Sequence, residues 1–238
     1  MKRKLVVLSG AGMSADSGLK TFRDADGLWE GYDVMEVATP QGFARRPDLV
    51  LDFYNQRRRQ LLEAAPNAGH RALAALEAHF EVQVITQNVD DLHERAGSNR
   101  VLHLHGELLK ARSTGPRGEV IPWQGDMRLG DRCRAGYQLR PHIVWFGEEV
   151  PLLGTAAQLA SQAEVMIIVG TSMQVYPAAS LVHYKPPGVP LYFVDPAPQV
   201  SRGQFDTLEI IPERAAVGVP ILAARLGGTG PGSAAPRP

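Results

Sequence analysis

The sequence has very little cysteine: Cys133 is the single one among 238 residues. One cysteine excludes a disulfide framework within the chain and any Cys-x-x-Cys motif for redox or metal chemistry. The class of small secreted proteins that depend on disulfide bonds is therefore excluded. The composition fits a reducing compartment, and we expect a cytoplasmic protein.

Net charge and long hydrophobic runs are also lacking. The 25 basic and 25 acidic residues cancel, so no positive field is available to hold nucleic acid or an anionic membrane. No apolar segment approaches the roughly 20 residues of a membrane span. The apolar run Leu5–Leu8, behind the basic residues 2–4, is far shorter than the roughly 7–15 residues of a signal-peptide core. We expect no signal peptide, no nucleic-acid partner and no membrane partner.

The sequence does contain apolar strand candidates that alternate with helical patterns. Hydrophobic residues make up 44% of the chain, which is ample for a packed core. Strand–helix alternation predicts an α/β fold, namely a Rossmann-like, doubly wound parallel sheet with a smaller inserted domain. The predicted strands are Leu5–Leu8, Val82–Thr86, Val101–Leu104, Val165–Gly170 and Leu191–Val194, and the predicted helices are Asn67–His79, Asp91–Ala96 and Leu152–Ala163.

Two stretches interrupt this alternation. Asp33–Ala65 has a helical pattern, in which Pro47 opens an amphipathic run. Lys110–Pro141 is rich in Gly, Pro and Arg, with few apolar anchors such as Trp123, Leu129 and Tyr137. We predict that both form a small domain over the ligand end of the sheet. The predicted boundaries are 1–28, 67–109 and 142–226 for the large domain, 29–66 and 110–141 for the small one, and 227–238 for a disordered tail.

A glycine-rich turn follows the first predicted strand. Leu5–Leu8 leads into Gly10-Ala11-Gly12, and such a turn brings the N–H groups that open the next helix to a phosphate. The spacing differs from the Gly-x-Gly-x-x-Gly pattern of dehydrogenases, because the third glycine, Gly18, comes six residues after Gly12. The turn therefore predicts a nucleotide site that is not built for hydride transfer.

Polar residues follow other predicted strands as well. Asn88 and Asp90 come after one strand, and Gly170-Thr171-Ser172 after another. In an open α/β sheet, the carboxyl ends of the strands form the ligand crevice. Each group also has a plain explanation: Asn88 or Asp90 could cap the following helix, and the glycine segment could be an ordinary turn.

The segment His103-Leu104-His105 also ends a predicted strand. Alternation places both histidines on one face. A histidine here could act as a general base near neutral pH or be purely structural. A metal site is a third reading, but no third ligand is apparent nearby.

Six motifs occur together in one order, and their combination is specific. They are 10–18, Thr21-Phe22-Arg23, 86–90, His105-Gly106, 141–148 and 170–172. With these motifs the chain resembles the sirtuins, and in particular bacterial NAD-dependent protein-lysine deacylases, over all but its tail. The resemblance implies NAD as cofactor and acylated protein lysines as partners. It also implies that the acyl group passes to ADP-ribose while nicotinamide is released.

The resemblance also implies residue roles. His105 and Asn88 would be catalytic, with His105 as the base, and Asn88 and Asp90 would position the nicotinamide ribose and carboxamide. The peptide would pair with the main chain of a strand over Val144–Glu148, so substrate contacts would include Val144, Phe146, Gly147 and Glu148. The implied cofactor contacts are Gly10, Ala11, Gly12, Met13, Ala15, Thr21, Phe22, Arg23, Gln87, Asn88, Asp90, Gly170, Thr171, Ser172, Asp195 and Ala215.

Tyr54 and Arg57 carry a signal for the choice of acyl group. On a helix they lie three residues apart and share a face, where a phenol and a guanidinium could bind a carboxylate. The pair resembles the Tyr-x-x-Arg pair of class III sirtuins, which remove succinyl and malonyl groups. Without the family, a solvated Arg57–Arg59 run would be the better interpretation.

The chain departs from the sirtuin pattern in three places. The usual four-cysteine zinc site is reduced to Cys133, and a structural zinc needs four N or S ligands, so we predict none. Asp195 stands where an asparagine is usual, and Lys20 replaces a common proline. Two alternatives to a deacylase remain, a mono-ADP-ribosyltransferase and a catalytically silent NAD-binding module. The oligomeric state is not predicted.

Overall fold

The computed structural model describes residues 1–20, 28–29, 31–200 and 203–228. Most of the predicted tail lies outside the described residues, and so do Thr21, Phe22 and Arg23. No helix in the described part is long and apolar enough to cross a membrane.

A six-stranded parallel sheet forms the centre of the molecule, which confirms the predicted fold class. Its strand order is β11-β10-β9-β1-β4-β5. A second sheet, with order β7-β6-β8, is antiparallel, and the two-residue strands β2 and β3 pair antiparallel with each other. In the described residues the strands are β1 (Arg3–Ser9), β2 (Leu28–Trp29), β3 (Tyr32–Asp33), β4 (Phe80–Thr86), β5 (Val101–His103), β6 (Gly106–Ser113), β7 (Val120–Pro122), β8 (Leu139–Ile143), β9 (Val165–Val169), β10 (Leu191–Val194) and β11 (Leu208–Ile211).

Helices cover both faces of the parallel sheet. The α-helices of the described chain are α1 (Val34–Val37), α2 (Pro40–Arg45), α3 (Pro47–Glu63), α4 (Ala68–Ala75), α5 (Leu92–Arg95), α6 (Leu153–Ala160) and α7 (Ala215–Leu226). The sequence analysis did not predict β11 or α7. Pro220 lies inside α7, and a proline in a sequence ordinarily argues against a helix interior.

The apolar runs of the central strands β1 and β9 are continuous because these two strands pack against both helical layers. In β1, Leu5 and Val7 join the core that includes α4 and α7. Val6 and Leu8 join the opposite core, against α6. Side chains of a strand alternate between the two faces, so a strand covered on both sides must be apolar at every position.

The antiparallel sheet packs against α3, and a buried arginine joins them. Arg58 is 1% exposed and donates from Nε to the carbonyl of Leu108 at 3.1 Å and from Nη1 to Oδ1 of Asn55 at 2.8 Å. Burial lowers the pKa of Arg58 to about 10, so the guanidinium stays charged at neutral pH. The helix is therefore held to β6 by a charged group that has defined acceptors.

The packing of the segment Lys110–Pro141 agrees with the prediction only in part. Leu129 and Tyr137 are 56% and 46% exposed, so they are not core anchors. Trp123 is partly buried and packs, as predicted, against a small core of Ala111, Met127, Leu139 and Leu51. The predicted boundaries at 109/110 and 141/142 fall inside β6 and β8, and the division into two domains stays a prediction.

Two buried histidines lie beneath the sheet's ligand edge. His70 and His93 are both fully buried, and their rings are 4.9 Å apart. Burial lowers the pKa of His70 to about 4 and that of His93 to about 3. Both side chains are therefore neutral in the folded protein near pH 6, whereas in the unfolded chain they begin to protonate near pH 6.5.

We expect the free energy of unfolding to fall as the pH drops below about 6.5, because the unfolded chain then binds more protons. Each histidine contributes up to about 1.4 kcal/mol per pH unit. Denaturant unfolding between pH 6.5 and 5 measures this slope, and His93→Gln should reduce it. The exposed His79 provides the control His79→Gln, which should leave the slope unchanged; an equal slope in all three proteins would contradict the assignment.

Candidate active site

A cavity of about 690 Å³ opens at the carboxyl edge of the parallel sheet. This volume is in the range of cofactor sites. The chain segments that follow β1, β4, β9 and β10 line it from one side, and α3 and the segment after β8 line it from the other. The sheet and the α3 layer thus meet at one cavity.

The glycine-rich turn after β1 packs directly against the turn after β9. A Cβ atom on Gly12 would lie 2.8 Å from the Cα of Gly170, and one on Gly10 would lie 2.7 Å from the Cβ of Thr171. Gly170 itself has a φ of +61°, which disfavours other residues. The glycines are therefore needed for contact between the two turns, a reason that the sequence did not reveal.

No α-helix follows this turn in residues 11–20, contrary to the sequence expectation. The chain instead forms two single 3-10 turns, Ala11–Met13 and Ala15–Ser17, and the left-handed Gly18 ends the second. The contact with Gly170 forces a tight path, in which Met13 N–H donates to the carbonyl of Gly10 at 2.9 Å. Any anion there would meet main-chain N–H groups of a turn rather than a full helix dipole.

Ser14, which the sequence analysis did not single out, joins two predicted site residues. Its hydroxyl donates to Oδ2 of Asp90 at 2.9 Å and accepts from Nδ2 of Asn88 at 3.1 Å. Asp90 also accepts the N–H of Leu92 at 3.1 Å from the position before the N-cap of α5, which is Asp91, so the alternative reading of Asp90 as the helix cap is wrong. Burial raises the pKa of Asp90. In the sequence, the signal that could have identified Ser14 as a site residue is its position just after the glycine-rich turn.

His105 lines the cavity and has a defined tautomer. Its Nδ1 lies 3.0 Å from the carbonyl oxygen of Gln87, which can only accept. Nδ1 therefore carries the proton, and Nε2 keeps its lone pair in the neutral ring. Burial lowers the pKa of His105 below its ordinary value, so the neutral form prevails at pH 7.

The predicted cofactor contacts line the cavity, with few exceptions. Gly10, Ala11, Gly12 and Ala15 do so, and so do Gln87, Asn88, Asp90, Gly170, Thr171, Ser172, Asp195 and Ala215. Met13 does not: its side chain is fully buried in the core beneath. Oδ1 of Asp195 accepts the N–H of Ala197 at 2.9 Å, and Nε2 of Gln87 donates to Thr171 at 3.2 Å.

Tyr54 and Arg57 both reach the same cavity from α3. Tyr54 is 1% exposed, and its hydroxyl accepts the Nε1–H of Trp145 at 2.9 Å. Burial raises the pKa of Tyr54, so the phenol stays protonated. Arg57 is 9% exposed, and its guanidinium lies 5.0 Å from the ring centre of Phe53. The reading of Arg57–Arg59 as a solvated run is therefore wrong for Arg57 and for the buried Arg58.

The segment Val144–Glu148 lines the cavity but is a turn, not the predicted strand, because β8 ends at Ile143. The side chain of Glu148 accounts for this. It accepts the N–H of Trp145 at 2.8 Å and pairs with Arg140 at 2.7 Å and with Arg112 at 3.2 Å. Glu148 thus bends the chain back on itself.

The expected zinc region holds a different set of contacts. In the described ranges, no group of three His, Cys, Asp or Glu residues is placed to hold a metal ion. Cys133 lies 3.2 Å from the hydroxyl of Ser113, which donates to its sulfur. These residues do not supply the donor set of a structural zinc site.

Comparison with known proteins decides the family. The family model described as "Sir2 family" matches residues 10–177. The chain belongs to the Sir2 family. An "NAD-dependent protein deacylase" of Helicobacter pylori (strain ATCC 700392 / 26695) is 61% identical over 194 residues, which are 82% of this chain and 85% of that protein.

A second curated protein and a solved structure are also similar to this Sir2-family chain. An "NAD-dependent protein deacylase" of Bacteroides thetaiotaomicron is 52% identical over 223 residues, 91% of this chain and 95% of that protein. A solved Sir2 homologue variant in complex with ADP-ribose is 37% identical, has a TM-score of 0.86, and is matched over 95% of this chain and 93% of its own. The predicted family is confirmed, and the predicted enzyme class and cofactor agree with these names.

Since the zinc ligands are missing, we expect elemental analysis of the purified protein to find no stoichiometric zinc. A structural zinc contributes directly to folding, so chelation unfolds a domain that depends on it. Here a chelator should change neither the melting temperature nor the activity. Stoichiometric zinc whose removal lowers the melting temperature would contradict this prediction.

Proposed function

We propose that this Sir2-family enzyme removes succinyl and malonyl groups, as well as acetyl groups, from lysine side chains of proteins in the cytoplasm. As a member of the family it is an NAD-dependent protein deacylase. The observation that supports the finer proposal is the placement of Tyr54 and Arg57 in the same cavity as His105 and Asn88.

The residues at the sheet edge fit NAD. The main-chain N–H groups of Ala11, Thr171 and Ser172, which line the cavity, are suited to the diphosphate. Those of Gly10, Gly12 and Gly170 already donate to carbonyl groups of the protein. The polar side chains of Ser14, Asn88 and Asp90 are suited to the nicotinamide ribose and carboxamide, and Asp195 is suited to the hydroxyls of the adenosine ribose. When bound, NAD supplies the ADP-ribosyl group that takes up the acyl group, and nicotinamide is its leaving group.

His105 is the general base of this proposal. The carbonyl of Gln87 holds Nδ1–H, so the basic Nε2 can take the proton of a ribose hydroxyl. Burial disfavours the charged ring, so His105 is already in its basic form at neutral pH. Asn88 and Asp90 orient the sugar, and their own positions are set by Ser14.

Tyr54 and Arg57 would recognise an acidic acyl group. A guanidinium binds a carboxylate through its planar fork of N–H donors, and a protonated phenol adds another donor. Arg58 joins α3, the helix that carries Tyr54 and Arg57, to β6 through the carbonyl of Leu108. An acetyl group carries no carboxylate and gains nothing from the pair.

His105→Ala should lower kcat by about 10²- to 10⁴-fold, as expected for loss of a general base, while the Kd for NAD changes by no more than a few-fold. In the unmodified enzyme, kcat/KM should decline on the acid side only below about pH 6.5, because burial lowers the pKa of His105. The exposed His183 offers the control His183→Ala. Near-normal turnover by His105→Ala would refute the role of His105.

Arg57→Met should reduce kcat/KM for a succinyl-lysine peptide by about 10- to 100-fold, the cost of an unpaired carboxylate. The value for the matching acetyl-lysine peptide should change far less. Mass spectrometry of the peptides after incubation with NAD measures both rates.

Arg59→Met is the matched control for this test. Arg59 lies two residues further along α3, and its side chain is 55% exposed and pairs with Asp126 at 3.3 Å. Its loss should leave both rates near those of the unmodified enzyme. Equal losses on the two peptides in Arg57→Met would contradict the proposed acyl preference.

The same incubation separates the two alternatives. A mono-ADP-ribosyltransferase would add the mass of ADP-ribose to a protein and would leave the acyl group on the acyl-lysine peptide. A silent NAD-binding module would yield no nicotinamide at all.

A further inference from the structure

We propose that His103 is a positioning residue, which holds the segment carrying Asn88 and Asp90 in place by joining the main-chain carbonyl of Asn88 to the carboxylate of Glu94. This inference rests on the proposed role of Asn88 and Asp90 in binding NAD. His103 does not line the cavity and has no part in the reaction proposed above.

The contacts of His103 require a proton on both ring nitrogens. Its side chain is 7% exposed, with Nδ1 3.2 Å from the carbonyl oxygen of Asn88 and Nε2 2.7 Å from Oε1 of Glu94. A carbonyl and an ionised carboxylate only accept hydrogen bonds. The imidazolium, which has two N–H donors, is the form that satisfies both partners.

His103 and His105 hold consecutive carbonyl groups of one segment. Nδ1 of His105 faces the carbonyl of Gln87, and Nδ1 of His103 faces that of Asn88. From the other side, Ser14 holds the side chain of Asn88. The two histidines of the His-x-His pattern therefore hold the main chain of residues 87–88 by hydrogen bonds, which is a role other than metal binding.

The charges around His103 favour its protonated form. Burial opposes protonation, but the hydrogen bond and the charge of Glu94, with the Asn88 carbonyl and Glu107, outweigh it, and the pKa of His103 is raised. Asp90 and His93 also face it, and Lys110 pairs with Glu107 at 2.6 Å. These groups come from α5, from β6 and from the segment itself.

Deprotonation should break the contact with Asn88 first. A neutral ring has one N–H, and it keeps this donor for the charged Glu94 at 2.7 Å, because charge-assisted bonds are the stronger ones. The lone pair of Nδ1 then faces the Asn88 carbonyl, and the hydrogen bond between His103 and Asn88 is lost. NAD affinity should therefore fall as the pH rises through the pKa of His103.

Two substitutions separate the two contacts of His103. In His103→Asn, the amide nitrogen takes the place of Nδ1 and can still donate to Asn88. In His103→Gln, it takes the place of Nε2 and donates only to Glu94. Calorimetric titration with NAD should give a Kd about tenfold higher for His103→Gln, whereas His103→Asn stays within about threefold of the unmodified enzyme.

The pH dependence provides a second readout, which a merely structural role would not produce. Between pH 6.5 and 9 the Kd of the unmodified enzyme should rise, and this rise should be absent in His103→Asn. Glu94→Gln removes the charge that favours the imidazolium, so the rise should move to lower pH. Equal Kd values for His103→Asn and His103→Gln, or a rise of Kd with pH that persists in His103→Asn, would overturn the proposal.

Asn88→Ala distinguishes failure of this inference from failure of the proposed site. If Asn88→Ala binds NAD as the unmodified enzyme does, then the assignment of Asn88 to the cofactor site is wrong, and the role of His103 falls with it. If Asn88→Ala binds weakly while His103→Gln binds normally, the site stands and only the inference about His103 fails. The control His79→Gln should behave as the unmodified enzyme in every titration.

Discussion

The parallel pairing of β1 with a neighbour on each side is the constraint on which the site depends. Ser9, the last residue of β1, is in register with Thr86 of β4 and with Val169 of β9. The chain segments that follow β1, β4 and β9 therefore leave the sheet side by side, although Ser9 and Val169 are 160 residues apart in the sequence. The hydroxyl of Ser9 donates to that of Thr86 at 2.9 Å, which supports the row from within. The contacts among Ser14, Asn88 and Asp90 at the sheet edge of the cavity depend on this alignment.

Close contact between glycines completes that edge. The turn after β1 and the turn after β9 approach so closely that a side chain at Gly12 or Gly170 would strike main-chain atoms. The turn then runs on through Ser14, whose hydroxyl reaches the segment after β4. Backbone packing and a short hydrogen-bond chain together hold the three segments in one arrangement. The proposed role of this site, which is to orient the ribose of NAD, needs such a fixed arrangement.

Buried charge shapes the other wall of the cavity. Three consecutive arginines on α3 have three different environments: Arg57 in the cavity wall, Arg58 in the core between helix and sheet, and Arg59 at the surface. Arg58 can be buried because the carbonyl of Leu108 and the side chain of Asn55 accept its N–H groups. Trp145 and Glu148 line the same cavity. The guanidinium of Arg140 lies 3.3 Å from the centre of the Trp145 ring and pairs with Glu148.

The sequence alone determined the parallel sheet, because strands buried on both faces must be apolar throughout, as in Val165–Val169. It also determined which strand ends carry polar chemistry, since the motifs around Gly10, Asn88 and Gly170 directly follow apolar runs. Only the tertiary structure decided the rest. The hydrogen bonds of Ser14 and His103 join them to partners 76 and 15 residues away, at Asp90 and Asn88, which no local pattern displays. Likewise, the bend at 144–148 depends on the ion pairs of Glu148, and long-range contacts of this kind form only once the chain has folded.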